Sequence, residues 1–115
     1  MPTTRYHLTH LSDIPPIPCP CGEARRAFTE DPDQTASTHL VTISINARTH
    51  YHKHHTEIYY ILEGHGEIEL DGNRHHLKPG DSILIKPHCR HRAIGRLTIL
   101  NTSIPTFDPE DEWFD

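Results

Sequence analysis

The stretch from Glu57 to Leu77 reads EIYYILEGHGEIELDGNRHHL, and it decides the fold. Glu57 to Leu62 is a run of β-branched and aromatic residues closed by Gly64, with strand texture and no helical stripe. Glu67 to Leu70 then alternates polar and apolar, Asp71-Gly72 is a strong hairpin signal, and Arg74 to Leu77 returns. Outward from this hairpin lie further strand-like runs: Thr38 to Asn46 (THLVTISIN), Asp81 to Lys86 (DSILIK) and Arg96 to Ile104 (RLTILNTSI). Turns at Pro79-Gly80 and Pro87 to Arg90 separate the later ones. Short strands with turns every eight to twelve residues or so predict an all-β sandwich or small barrel, and no long helical pattern intervenes.

The chain has 115 residues, the size of one small domain spanning residues 1–115. Only 34% are apolar, so the core must be economical, which suits a closed β architecture. Residues 1–37 hold six of the ten prolines and read as an irregular arm with at most a short helix near Glu23–Phe28. Residues 38–104 are expected to form the barrel. Residues 105–115 form an acidic tail with three aromatics, fit to cover the barrel mouth, meet a partner subunit or lie in solvent.

The formal charge is −5 with no long basic run, which argues against a nucleic-acid partner. No apolar run approaches the ~20 residues of a membrane span, and the N-terminus lacks a signal-peptide core. A cytoplasmic protein is expected. Cys19, Cys21 and Cys89 are too few for a disulfide framework, and Cys19-Pro20-Cys21 is too tight for a zinc knuckle.

Twelve histidines outnumber the eleven Lys and Arg. His50 and His52 lie two apart in an extended segment, so their imidazoles face one side roughly 7 Å apart. His54 continues the alternation, and geometry alone also allows His52 and His54 as the pair. Glu57 opens the next strand and His91 heads another. Three neutral imidazoles and a carboxylate suit Fe, Mn, Ni or Zn and leave positions open for a substrate.

At these residues the chain resembles the cupin family. Its first motif is matched by His50, His52, Glu57 and Gly64, within HYHKHHTEIYYILEG. The second is matched by Gly80, Pro87 and His91, within PGDSILIKPHCRH. Lys86, His88 and Gly95 depart from it, standing where a Pro, a turn Gly and a closing Asn are usual. The resemblance covers about residues 38–104. It implies a double-stranded β-helix (jelly-roll) cupin barrel holding one divalent metal ion (Fe, Mn, Zn or Ni) through His50, His52, Glu57 and His91. It also favours the His50/His52 register over His52/His54.

The function so implied is a small metal-dependent enzyme on a small organic molecule, of dioxygenase, isomerase or lyase type, with Glu57 as ligand or base. The alternative is a metal-assisted binding protein for a sugar or carboxylate, without catalysis. A barrel whose metal only stabilises the fold is a third reading. A homodimer is expected, since cupin barrels commonly pair.

Of the remaining residues, His54 and His55 are expected at the rim. His7, His10, His39, His65, His75, His76 and His88 are expected on the surface. Cys89 reads as packing. Either Tyr59 or Tyr60 can line the cavity, and Arg90 can bind an anion if it faces the mouth. Motifs for a nucleophilic serine or a bound nucleotide are lacking.

Overall fold

The computed structural model describes residues 5–115, and its regular structure is almost wholly β. A 3-10 turn at Leu11–Asp13 precedes seven strands: β1 Ile17–Cys19, β2 Gly22–Ala27, β3 Ser37–Ile43, β4 Thr56–Leu70, β5 Asn73–Leu77, β6 Ser82–Ile85 and β7 His91–Ile104. The hydrogen-bonded order is β1-β2-β3-β7-β4-β5. The strand β6 pairs with the first half of β4, and β5 with its second half.

This order corrects the expected closed jelly-roll barrel. The sheet ends at β1 on one side and at β5 and β6 on the other, and among the described residues no ladder joins those edges. The sheet is open. Alternation misleads here because it reports which face of a strand is buried, and that pattern is shared by open and closed sheets.

The irregular arm is corrected too. Residues 17–27 form β1 and β2, which extend the sheet beyond β3. The helix expected near Glu23–Phe28 is instead β2, with Ala24 opposite Val41 and Arg26 opposite His39. Glu-Ala-Arg-Arg-Ala favours a helix locally, but six cross-strand pairs override that propensity. As a strand, β2 turns Ala24 and Arg26 to the same face.

Glu57–Leu62 and Glu67–Leu70, read as two strands, belong to the single strand β4, which pairs along its length with β7. A one-residue slip between Ile61 and Glu63 marks a bulge. Gly64 lies within β4 at φ +90°, where a Cβ would collide with the Arg96 carbonyl, so glycine permits the close approach of β7. Asp71 and Gly72 both have positive φ (49° and 84°), as the expected hairpin turn requires.

Inward residues of five strands, among them Ile43, Ile61, Ile68, Ile85 and Ile99, form one apolar cluster. Each such isoleucine contributes about 1.5–3 kcal/mol by leaving water. On the other face of β4 and β6, Ile58, Tyr60, Leu62 and Leu84 remain exposed. Among the described residues no helix is long and apolar enough to cross a membrane.

Candidate metal centre

Two backbone bridges assemble the site. His50 and His91 exchange both N–H···O bonds, at 3.1 and 2.9 Å, which sets their rings 4.4 Å apart between centroids. Tyr51 and Trp113 pair in the same way, tying the C-terminal segment to the stretch that carries His50 and His52. His52 sits on the His50 side, and its carbonyl accepts the His88 amide at 2.7 Å. Glu57 enters from the start of β4.

The ligating atoms of His50, His52 and His91 all lie within 4.8 Å of one another. Glu57 Oε1 is 2.9 Å from His52 Nε2 and 3.2 Å from His91 Nε2. His54 is exposed and its amide donates to Asp111, so it plays no part in the cluster.

Backbone carbonyls fix the imidazole tautomers. His50 Nδ1 lies 3.1 Å from the Arg48 carbonyl, His52 Nδ1 2.6 Å from that of Asp111, and His91 Nδ1 2.8 Å from that of Cys89. A carbonyl only accepts, so each Nδ1 carries hydrogen and each neutral ring offers its Nε2 lone pair. Asn101 Nδ2 donates to Glu57 Oε2 at 2.6 Å, which leaves Oε1 facing the imidazoles.

Lone pairs on Nε2 and on a carboxylate oxygen repel at these distances unless a cation lies between them. His91 Nε2 and Glu57 Oε1 are both buried without a hydrogen-bond partner. The donor set therefore fits a divalent metal ion, though N/O donors do not select which one.

Electrostatics show the same demand for a positive charge between Glu57 and the rings. Burial opposes charge on His52, but the Glu57 carboxylate outweighs it and raises the His52 pKa. Burial likewise opposes charge on Glu57, yet His52 and His91 hold it well below the usual carboxylate range. Burial, with the neighbouring His91, lowers His50 to about 4, so its ring is neutral at pH 7.

A second group, His52, His55 and Asp111, also brings ligand atoms together. Its carboxylate is already occupied: Asp111 accepts the Lys53 and His54 amides and the Trp113 indole N–H, each at 2.9 Å, and faces His55 Nδ1 at 3.0 Å. This group is a buried structural node that anchors the tail.

The cluster opens on a cavity of about 200 Å³ with a mainly apolar wall. Tyr59 lines it, whereas Tyr60 points to solvent. Burial and the Glu57 charge push the Tyr59 phenol well above its ordinary pKa, so it stays protonated. Cys19 and Cys21 line the cavity with sulfurs 3.0 Å apart.

Several expectations are corrected here. His55 and His39 are not on the rim or surface but buried, at 3% and 2% exposure. His39 Nε2 shares a 2.8 Å hydrogen bond with Ser37 Oγ. The residue count along β3 places His39 on the same face as Val41 and Ile43, which pack into the core.

Arg90 lies over Tyr51 and pairs with Asp115, while the arginine in the cavity is Arg26. His88 is exposed at φ 74°, a left-handed backbone that explains why glycine is usual there. Cys89 packs against the core. Asp111 and Asn101 join the site through long-range packing that no local pattern shows, and Arg26 reaches the cavity because residues 22–27 form a strand and not a helix.

The model of the family described as Cupin domain matches residues 40–96. An uncharacterized protein of Methanocaldococcus jannaschii is 43% identical over 75 residues, covering 60% of each chain. L-ectoine synthase of Hahella chejuensis is 33% identical over 82 residues, covering 67% of this chain and 62% of the synthase. The match thus spans about three fifths of these relatives' length. A crystal structure of a protein from Planctomyces limnophilus superposes with a TM-score of 0.90 at 45% identity, covering 95% of this chain and 96% of that one.

Proposed function

Because the chain belongs to the cupin superfamily, we propose that it is a metal-dependent enzyme of isomerase or lyase type acting on a small organic molecule. In this reading His50, His52, His91 and Glu57 hold one divalent ion. The observation that carries it is the meeting of three carbonyl-anchored imidazoles, two of which, His52 and His91, face Glu57 Oε1. Similarity to an L-ectoine synthase supports an enzyme rather than a passive binder.

A divalent ion at this place supplies a Lewis acid that polarises a substrate oxygen. The chain's own residues do the rest. The apolar wall excludes water from the substrate, and Asn101 keeps Glu57 Oε2 engaged. Only Oε1 is then available as a ligand atom or, if released, as the atom that takes a proton. Tyr59 keeps its phenolic hydrogen and can donate a hydrogen bond into the cavity. Cys19 and Cys21 on the wall of the same cavity favour redox-neutral chemistry, because oxygen species released there would oxidise their sulfurs.

The test is hydrogen–deuterium exchange next to a carbonyl, followed by NMR on metal-loaded protein with a panel of hydroxy and oxo acids, alongside an oxygen electrode. Metal-dependent exchange or water elimination without oxygen uptake is expected. Substrate-dependent oxygen consumption would point to a dioxygenase instead, and silence in both would leave the binding reading. The exposed face bearing Ile58, Tyr60, Leu62 and Leu84 is where the homodimer would form, and a monomer in sedimentation velocity would remove that part.

A further inference from the structure

The cavity has a second polar end, formed by Arg26. On β2 this side chain enters the same cavity as His50, His52 and Glu57. Its Nε is buried without a hydrogen-bond partner, and among the described residues Arg26 forms no ion pair. The guanidinium carbon stands 4.6 Å over the Phe107 ring, which fixes its plane and gives it an apolar backing.

Arg26 is also in line with the metal centre. It pairs across the sheet with His39, His39 with Asn101, and Asn101 with Tyr59. Asn101 in turn holds Glu57. Arg26 thus lies two strands from the residue that orients the carboxylate ligand, or roughly 10 Å at the usual strand spacing. His39, between them, is buried beside Arg26, and these two effects lower it to about 4, so it adds no second positive charge at pH 7. The acidic residue Glu112 also lines the cavity, but it stands 3.8 Å from His50, at the metal end.

Arg26 is half-buried with its Nε wholly withdrawn from water and no counter-ion, which is costly, and its planar fork matches a carboxylate in two parallel hydrogen bonds. We infer that Arg26 binds a carboxylate of the substrate, so that the substrate is a small organic acid spanning the cavity. Its far end carries the oxygen group presented to the metal. This inference rests on the metal-dependent reading above for that far end. The single guanidinium and the apolar wall suit one carboxylate rather than a phosphate, which needs more donors.

Isothermal titration of the zinc-loaded full chain with succinate, glutarate and adipate, and with their diamides, tests it. Wild type should bind at least one dicarboxylate, with the matching diamide at least about tenfold weaker. Arg26→Gln should weaken that dicarboxylate by roughly ten- to a hundredfold, with zinc content and melting temperature at wild-type values. Arg26→Lys, which keeps the charge and loses the fork, should fall between.

Equal affinity in wild type and Arg26→Gln, or no dicarboxylate binding by wild type, overturns the inference. Zinc content separates this from the reading beneath it. A wild type that takes up none of zinc, nickel, manganese or iron(II) refutes the metal reading, and the Arg26→Gln comparison then decides the carboxylate site on the metal-free protein.

Discussion

Replacing His91 with alanine is expected to weaken divalent metal binding by at least about a hundredfold, since even changes behind the ligands cost ten- to a hundredfold. His91 is 1% exposed and its Nε2 makes no hydrogen bond, so deleting the ring removes a donor that has no other task at that atom. The backbone bridge to His50 does not need the ring and should survive. His52→Ala should act alike. His75→Ala, on an exposed position of β5, should leave metal content unchanged. Plasma mass spectrometry on protein purified without an affinity tag reads all three. His91→Gln, closer in size, guards against simple unfolding of the alanine variant. Wild-type metal content in both His52→Ala and His91→Ala would show that the ion sits elsewhere.

Removing the Asp111 carboxylate is expected to have the largest effect on stability. Asp111→Ala leaves the Lys53 and His54 amides, the Trp113 indole and His55 without their acceptor, all in a buried place. Each buried donor left without its acceptor costs about 1–3 kcal/mol, so losing several together costs roughly 3–5 kcal/mol. For a domain of this size that lowers the melting temperature by on the order of 12–20 °C. Burial opposes the Asp111 charge, but the Lys53, Trp113 and His54 hydrogen bonds and His55 outweigh it and bring its pKa to about 2. The unfolded value is about 3.9. The folded state therefore binds the proton less readily, and the stabilisation is complete above about pH 4 and lost as pH falls through about 2. Urea unfolding should show a wide gap between wild type and Asp111→Asn at pH 7 that narrows near pH 2. A gap independent of pH would mean that the charge is not what stabilises the tail.

What could be read in the sequence was local. The spacing of His50, His52 and Glu57, the alternation around them and the Asp71-Gly72 turn are short-range patterns, and the structure places those side chains on one face. Strand pairing at the sheet edges is not local, and the expected barrel closure failed there. The helix reading of residues 23–28 failed for a related reason, since partners on β3 outweigh intrinsic preference. Arg26 reaches the cavity for the same reason, because only a strand turns Ala24 and Arg26 to the same side. Asp111 was beyond reach altogether: it supports His52 through its carbonyl across a separation of 59 residues. His55 and His39 show the converse limit. A histidine-rich composition makes each one look like surface, while burial is decided by which face of the strand it occupies.

The central claim is that one divalent ion is held by His50, His52, His91 and Glu57, and X-ray absorption spectroscopy of the zinc-loaded chain tests it most directly. About one equivalent of zinc is expected, with a nitrogen/oxygen shell at roughly 2.0–2.2 Å and imidazole scattering from three rings that falls in the His91→Ala variant. A sulfur shell near 2.3 Å would instead place the ion on Cys19 and Cys21 and contradict the account. A spectrum unchanged by His91→Ala would do the same.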